Sequence, residues 1–398
     1  MKPSAAITPR PLTAPHRRSL QMGLLQWFAE FQRPLPWRQT TDPYAIWLSE
    51  VMLQQTQVAT VIPYYRRFLA ALPDIPTLAQ ADIQTVLALW AGLGYYRRAH
   101  QLHAAAKQIV AHHGGKLPAD FLQLLKLPGF GPYTAGAVAS IAFHQCVPAV
   151  DGNVLRVASR ILADDRDIRA ASVHKSLRTA VGGWVVKENA GQFNQALMEL
   201  GATVCSVTSP RCDMCPVRPV CRARAAGRQM DFPVRRRPKA KRTVHLAALH
   251  IRDAQGKYLL AQRQNGALWA GLWELPAVPI AVPPHTLRPI IRLARRTLGL
   301  EISSARSAAR VAAVIEHVLT HMHVYVYIFN CSLRTAQTSP HAARSPAVRP
   351  HAARLPAAHP LPPDSPYQAL AWLADPARVP LSTLARKQFA AVSAASSD

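Results

Sequence analysis

The sequence predicts a two-domain protein, an all-α domain followed by an α+β domain. From about Leu20 to Arg228, apolar residues recur at the spacing of amphipathic helices and are interrupted by Pro and Gly. After about Thr243 the apolar residues follow a period of two and include many β-branched and aromatic side chains, which is typical of strands. A chain of 398 residues, of which 49% are hydrophobic, is long enough to bury a core in each domain.

The domain boundaries follow changes in composition. Residues 1–18 form a tail rich in Pro, Ala and Arg that we expect to be disordered, and residues 19–228 form the helical domain. Residues 229–243 are a basic linker, and residues 244–398 form the second domain. Within that domain, residues 335–366 are dominated by Pro, Ala, His, Arg and Ser, which bury too little apolar surface to fold, so we predict a disordered insertion there.

Each predicted helix is a stretch of apolar periodicity bounded by Pro, Gly or polar residues. These stretches are Asp42 to Leu72, Ile83 to Trp90, Tyr96 to His113, Phe121 to Lys126, Tyr133 to Phe143, Val154 to Leu162 and Asn194 to Cys205. Each predicted strand is a short run that alternates or is continuously apolar. These runs are Val244 to Ile251, Tyr258 to Gln262 and His323 to Phe329.

The charge balance predicts a polyanionic partner. The chain carries 47 Lys and Arg against 21 Asp and Glu, and the formal net charge of +26 favours nucleic acid as that partner. The alternative is a solubility effect in an arginine-rich proteome. No apolar run approaches the roughly twenty residues that span a bilayer, so no membrane partner is expected. We further expect a monomer in a bacterial-type cytoplasm, associated with the nucleoid.

Four cysteines predict a metal or iron-sulfur site. Cys205, Cys212, Cys215 and Cys221 lie within seventeen residues at the spacing C-x6-C-x2-C-x5-C. Four thiolates gathered in one loop are a ligand set for zinc or for an iron-sulfur cluster. The remaining two cysteines lie far apart in the sequence, so a disulfide framework is not expected.

A glycine-containing turn between two expected helices indicates a hairpin that binds phosphate. It runs from Leu127 to Gly136, and Gly129 and Gly131 allow backbone conformations with positive φ that a residue with a Cβ adopts only at a cost. The unpaired N–H groups at the start of the next helix can then contact a nucleic-acid phosphate. The alternative is a plain turn between packed helices.

With its four-cysteine loop and its glycine-containing turn, the helical domain resembles the helix-hairpin-helix DNA glycosylases that carry an iron-sulfur loop. Among them it resembles the adenine DNA glycosylases of the MutY type. The resembling segments are Leu35-Pro36-Trp37-Arg38, Trp47 to Gln57, Gly92-Leu93-Gly94-Tyr95-Tyr96 and Val150-Asp151-Gly152-Asn153. The resemblance implies that the four cysteines hold one 4Fe-4S cluster and that the partner is double-stranded DNA.

Two carboxylic acids are the candidates for chemistry. Glu50 lies inside the apolar run Ile46 to Leu53, where desolvation is expected to favour its protonated form. Asp151 precedes the helix Val154 to Leu162, whose dipole is expected to favour the ionised form. The resemblance implies that Glu50 protonates the departing base and that Asp151 stabilises charge on the sugar or acts as a transient nucleophile. Without it, Asp151 would be a helix N-cap and Glu50 a surface residue of an amphipathic helix.

Residue 133 bears on the type of reaction. The glycosylases that the chain resembles are related to the endonuclease III enzymes, which have a lysine in the hairpin. That lysine attacks the sugar and permits strand cleavage. This chain has Tyr133, and a phenol forms no Schiff base, so we expect a monofunctional glycosylase. Tyr133 and Asn153 are expected to hydrogen-bond around the sugar and Asp151, and the alternative is that Tyr133 only packs the hairpin.

The resemblance also implies residues that contact the flipped-out nucleotide and its partner base. Gln55 and Tyr95 match positions that fill the gap in the duplex and stack on the partner base, although Tyr95 could instead be an ordinary core aromatic. Arg38 and Trp37 match the surroundings of the adenine pocket.

The second domain resembles a Nudix fold through Ala267 to Pro276. Where a Nudix hydrolase needs glutamates for magnesium, the segment Arg292 to Leu300 offers arginines, so we expect the fold without the hydrolysis. The domain also resembles the C-terminal domain of the MutY-type glycosylases. That resemblance implies recognition of 8-oxoguanine opposite the target adenine by a Phe-Ser-His triplet, and the matching residues are Leu319, Thr320 and His321. Leu319 cannot stack on a base as a phenyl ring does.

Together with these observations, the resemblance implies an adenine DNA glycosylase of base excision repair. It would remove adenine mispaired with 8-oxoguanine or guanine by hydrolysing the N-glycosidic bond without strand cleavage. The rival hypotheses are an endonuclease III-like glycosylase and lyase acting on oxidised pyrimidines, a non-catalytic DNA-binding module that senses damage, and a Nudix hydrolase.

Overall fold

The computed structural model describes residues 10–235, 241–264, 268–284, 287–303, 310–319, 322–333 and 361–395. The chain divides into two compact units. The helical unit comprises Met1–Ala81 and Gln101–Pro238, and the mixed unit comprises Asp82–His100 and Lys239–Asp398. No helix in the described residues is long and apolar enough to cross a membrane.

The helices of the described residues are numbered in chain order. They are α1 (Ala14–Phe31), α2 (Pro43–Leu53), α3 (Val58–Ala71), α4 (Ile75–Gln80), α5 (Ile83–Trp90), α6 (Arg97–His113), α7 (Phe121–Leu124), α8 (Pro132–Phe143), α9 (Gly152–Leu162), α10 (Ala171–Gly182), α11 (Ala190–Thr203), α12 (Arg222–Ala225), α13 (Arg288–Leu298) and α14 (Thr383–Ala395). The strands are β1 (Arg242–Ile251), β2 (Tyr258–Arg263), β3 (Trp273–Glu274), β4 (Ala277–Ile280), β5 (Ile302–Ser303), β6 (Ala313–Val318), β7 (Met322–Leu333) and β8 (Tyr367–Leu373).

A shared apolar core in the helical unit joins α1, α9 and α11. The buried side chains of α1 recur at intervals of four residues, as Leu20, Leu24 and Phe28 do, and α9 and α11 each turn an apolar side to the same core. Asn194 on α11 lies inside the unit, where its amide donates to Ser140 Oγ and accepts from the N–H of Ala149. The segment that enters α9 is thereby fixed, and so is the residue at its N-terminus.

The mixed unit contains two sheets. In the larger sheet the strands follow the order β4-β1-β7-β5, and β6 pairs with β7. β1 and β7 are parallel, with Val244 opposite Val324, whereas β6 and β7 are antiparallel neighbours. The smaller sheet has the order β3-β2-β8. Helix α13 packs near β4 and β5, and α14 packs near β3 and β6.

Three boundary expectations need correction. The predicted tail through residue 18 is wrong for residues 14–18, because α1 begins at Ala14 with a proline in its first turn. Residues 82–100 belong to the mixed unit, in which the Tyr96 hydroxyl donates to the Leu381 carbonyl at 3.0 Å. The predicted insertion does not extend through residue 366, since Ser365 is buried and the N–H of Gln264 donates to the Pro366 carbonyl. Residues 335–360 lie outside the described residues.

Candidate active site

Glu50 lies on a buried helix, α2. Asp42 caps α2 by accepting hydrogen bonds from the N–H groups of Tyr44 and Ala45, and Pro43 occupies the first helical position. Every residue of α2 from Tyr44 to Met52 is buried, and the exposed fraction of Glu50 is only 5%. This burial raises the pKa of Glu50 to about 7. The predicted preference for the protonated form agrees with this environment.

Tyr133 contacts Glu50 directly. It lies in the first turn of α8, where its hydroxyl donates a hydrogen bond to Glu50 Oε2 and contacts Met198 Sδ at 3.3 Å. A donated bond favours the carboxylate and therefore lowers the pKa of Glu50, against the effect of burial. Burial and the nearby charges of Glu50 and Asp151 raise the pKa of Tyr133 well above its usual value. Tyr133 is thus a permanent hydrogen-bond donor near neutral pH.

Asp151 is the N-cap of α9. Its Oδ1 accepts from the N–H of Val154 at 2.7 Å, and its Oδ2 accepts from the side-chain amide of Asn153 at 2.9 Å. Burial nevertheless raises the pKa of Asp151, although both hydrogen bonds and the charge of Arg156 act in the opposite direction. The sequence analysis expected the N-terminus of α9 to favour the ionised form of Asp151. The hydrogen bonds at this N-terminus act in that direction, but desolvation exceeds them and raises the pKa.

The two acids share one site. The negative charge of Asp151 raises the pKa values of both Glu50 and Tyr133, which requires the three side chains to lie near each other. The structure thus brings Glu50, Tyr133, Asp151 and Asn153 together, while their catalytic roles remain predictions. Such an arrangement can supply a proton and a negative charge to a bound substrate.

A buried ion network lies beside Glu50. Arg38 Nη2 donates to Glu199 Oε2 at 2.8 Å, and Arg33 Nε donates to Glu199 Oε1 at 2.6 Å. Burial by itself would raise the pKa of Glu199, but the hydrogen bonds from both arginines outweigh it and lower that pKa. Arg38 also lowers the pKa of Glu50. Trp37, by contrast, is buried against Tyr65 at 5.4 Å between ring centroids.

Sequence reasoning missed Glu199 and two arginines of α9. Arg156 donates to Asn153 Oδ1 at 2.9 Å and, through Nε, to the Cys205 carbonyl at 2.9 Å. Arg160 Nη1 lies 3.2 Å from Cys205 Sγ and donates to the Ser206 carbonyl at 2.6 Å. The charge of these residues could have revealed them in the sequence, because an ionised residue within an apolar-periodic helix needs a buried partner.

The four cysteines line one cavity, together with Arg160 and apolar side chains of α9 and α11. Burial raises the pKa of Cys215 to about 12 and also raises the pKa values of Cys212 and Cys221. Among the described residues, no three His, Cys, Asp or Glu side chains are grouped to hold a metal ion. Four thiolates at one cavity are a ligand set for zinc or for an iron-sulfur cluster.

The cysteine loop also holds the segment that precedes α1. Arg222 follows Cys221, and its guanidinium donates to the carbonyls of Arg10 and Pro11 at 2.5 and 3.0 Å. The order of the loop and the position of residues 10–11 are therefore linked.

The predicted hairpin depends on one glycine, not two. Gly129 has φ of +77°, and a Cβ there would lie 2.8 Å from Cβ of Gln101. Gly131 has φ of −83° and serves as the N-cap of α8, with open space where a Cβ would lie. The expectation of positive φ was therefore wrong at Gly131. Its N-cap position still leaves the N-terminus of α8 accessible.

Left-handed backbone conformations mark several exposed loop residues. Five non-glycine residues among those described have positive φ, and two of them, His144 and Ala163, are the C-caps of α8 and α9. The other three are Gln55, Tyr95 and Trp269, with φ of 58°, 49° and 63°. Such conformations are uncommon for residues with a Cβ and concentrate at functional sites. Gln55 and Tyr95 are both exposed, as the predicted contacts with DNA require.

Of the predicted recognition triplet, the structure describes Leu319, which follows the last residue of β6. The Leu319 N–H donates to the Met322 carbonyl at 2.8 Å, and Leu319 is partly exposed. Thr320 and His321 lie outside the described residues. Near Leu319, the rings of Trp269 and His317 lie 6.2 Å apart. Trp269 is an aromatic residue of this region that the sequence analysis did not single out.

Comparisons with known proteins agree with this architecture. Residues 48–182 match the HhH-GPD superfamily base excision DNA repair protein family, and residues 247–391 match the NUDIX domain family. The chain is similar to the adenine DNA glycosylase of Homo sapiens, with 38% identity over 334 residues that cover 70% of this chain and 60% of that protein. It is 34% identical over 254 residues to the adenine DNA glycosylase of Buchnera aphidicola subsp. Baizongia pistaciae, covering 64% of this chain and 72% of the relative.

A solved thermostable thymine-DNA glycosylase aligns with a TM-score of 0.48 and 26% identity over 53% of this chain and 98% of its own. The chain spans 60% of the length of the human relative and 72% of the length of the bacterial one. The extent and identity of the matches establish that the chain belongs to the adenine DNA glycosylase family.

Proposed function

We propose that this protein is a monofunctional DNA glycosylase that removes adenine mispaired with 8-oxoguanine or guanine in duplex DNA. The observation that carries the proposal is the pair of Glu50 and Asp151 in one site. Glu50 accepts a hydrogen bond from Tyr133, whereas Asp151 accepts hydrogen bonds from Asn153 and the N–H of Val154. Membership of the adenine DNA glycosylase family supplies the identity of the base.

In the proposed reaction the two acids have different roles. Protonated Glu50 donates its proton to the adenine as the bond between the base and C1′ breaks, so that the base leaves as a neutral molecule. Asp151 stabilises the positive charge that develops on the sugar. A water molecule then adds to C1′ and loses a proton, which leaves an intact abasic site. A pKa near 7 suits Glu50 to this transfer at neutral pH.

The strand is expected to remain intact after base removal. Cleavage by a lyase requires an amine that forms a Schiff base with the sugar, and the hairpin helix presents the Tyr133 hydroxyl at this site. A borohydride-trapped covalent complex between the protein and DNA would contradict this assignment.

We propose that Cys205, Cys212, Cys215 and Cys221 hold a 4Fe-4S cluster. The four cysteines line one cavity, and Arg160 Nη1 lies 3.2 Å from the Cys205 sulfur. The positive charge of iron would offset the desolvation that disfavours these thiolates. The role proposed for the cluster is to order the loop of residues 205–221.

DNA recognition is proposed to involve both units, each through its own residues. In the helical unit, Gln55 would fill the gap left by a flipped adenine, and the open N-terminus of α8 after Gly131 would contact a phosphate. In the mixed unit, Tyr95 would stack on a base. Leu319, Thr320 and His321 would contact 8-oxoguanine. Because Leu319 has no ring, we expect its contribution to that preference to be weaker than that of a phenylalanine.

The test replaces each acid by its amide. We expect Glu50→Gln and Asp151→Asn to lower single-turnover adenine release from a duplex with adenine opposite 8-oxoguanine by about 100-fold or more. Binding to the same duplex should persist, as measured by fluorescence anisotropy. Glu30→Gln changes an exposed acid of α1 and is the matched control, for which wild-type release is expected. Unaltered release by either active-site variant would contradict the proposed chemistry.

A further inference from the structure

Helix α13 separates its side chains sharply into an apolar and a basic side. Ile290, Ala294 and Leu298 are fully buried in the core of the mixed unit. The opposite side carries Arg288, Arg292, Arg295 and Arg296, and we call these four residues the arginine face. Their spacing of four, three and one residues places them along one side of the helix.

The fold itself does not account for these arginines. Arg288 and Arg292, like Arg292 and Arg296, are like-charged pairs four residues apart, which destabilise a helix. Arg288 is also the first residue of α13, where the helix dipole disfavours a cation.

Carboxylate partners are scarce on this side of the unit. Arg295 lies 3.5 Å from Glu301. Within the described part of the chain, no carboxylate lies within 4.0 Å of Arg288, Arg292 or Arg296. Only Arg295 and Arg296, in the last turn, are at the end of the helix that favours positive charge. Three guanidinium groups are therefore available to an external anion.

We propose that the arginine face binds the phosphate backbone of duplex DNA. The identity of the polyanion rests on the proposed function. From Arg288 to Arg296 the helix rises by about 12 Å, and duplex DNA carries one phosphate charge about every 1.7 Å of its axis, so several phosphates can face these residues. Guanidinium groups form paired hydrogen bonds with phosphate oxygens. Binding of this kind positions the mixed unit on the duplex without recognising sequence.

The test measures the salt dependence of binding by the full-length protein. With Arg292→Gln and Arg296→Gln combined, binding to an undamaged duplex should weaken, and the slope of log K against log salt should decrease in magnitude by about 0.9 for each phosphate that is no longer neutralised. The control combines Arg310→Gln and Arg386→Gln, which remove the same charge from exposed positions of the same unit. A second variant, Arg292→Lys with Arg296→Lys, keeps the charge and should keep most of the slope.

The outcomes distinguish the proposals. If the Arg292 and Arg296 glutamine pair has the wild-type slope, or the same reduction as the control pair, the arginine face does not bind DNA and faces solvent or an acidic protein. If glutamine at both positions unfolds the unit, Arg292→Gln and Arg296→Gln are measured singly. A reduced slope for either one supports the proposal, and a wild-type slope for both contradicts it. A wild-type protein that binds DNA but releases no adenine would refute the proposed function and leave the arginine face supported.

Discussion

Glu50 is subject to opposing influences that set its pKa near neutrality. Burial raises the pKa to about 7 and the charge of Asp151 acts in the same direction, while Tyr133 and Arg38 lower it. A general acid is most effective when its pKa lies near the working pH, because it is then both protonated and able to release its proton. The neighbours of Glu50 therefore matter as much as the carboxyl group itself.

Tyr133→Phe isolates one of these influences. Removing the hydroxyl deletes a hydrogen bond that favours the carboxylate, so the pKa of Glu50 should rise above about 7, by roughly one pH unit. The reaction needs the protonated form, and adenine release should therefore persist to higher pH. Single-turnover rates across pH 5 to 9 measure this shift. Tyr64→Phe, on α3, is the control, and an unshifted profile for Tyr133→Phe would show that the hydrogen bond does not tune the acid.

At the scale of elements, the hairpin before α8 places the start of that helix. Gly129 supplies the left-handed conformation, and its Cα lies so close to Gln101 on α6 that no Cβ fits. The turn and the two helices are thus fixed relative to each other. Tyr133, four residues further on, depends on this geometry for its contact with Glu50.

Gly129→Ala should distort the hairpin. A Cβ in a left-handed conformation costs about 1–2 kcal/mol before the clash with Gln101 is counted. We expect a lower thermal midpoint and weaker binding to undamaged duplex. Gly131→Ala is a close control, because φ is −83° and the space is open. Equal effects of the two substitutions would mean that the conformation of Gly129 is not what matters.

At the scale of the whole molecule, the cysteine loop connects parts of the helical unit that are distant in sequence. Arg160 joins it to α9, and Arg156 links the Cys205 carbonyl to Asn153 in the active site. Arg222 joins it to residues 10–11. The order of the loop therefore affects both the site and the packing before α1.

Replacing one cysteine ligand should reveal this connection. Cys215→Ser is expected to lower the iron content and the visible absorbance of the purified protein, and to lower its thermal midpoint by several degrees. Cys146→Ser changes an exposed cysteine outside the loop and should leave these properties unchanged. Full iron content and stability in the Cys215 variant would contradict the ligand assignment.

Local patterns in the sequence predicted the helical and mixed regions because apolar periodicity is a local property. Ile83 to Trp90 is helical as predicted, and the Glu50 environment follows from the apolar run around it. The assignment of residues 82–100 to the mixed unit could not be predicted, since it depends on contacts such as that of Tyr96 with Leu381. The partners of Glu199 are likewise set by tertiary structure, as is the desolvation that raises the pKa of Asp151.

The hydrogen bonds from Arg222 to Arg10 and Pro11 have a consequence for protein turnover. A newly made chain in which the cysteine loop never becomes ordered would leave those carbonyls without their donors. Loosely held polypeptide near a terminus is a preferred point of attack for proteases. Immature copies would then be degraded before they compete with functional enzyme for lesions, so this arginine would help the cell to discard them.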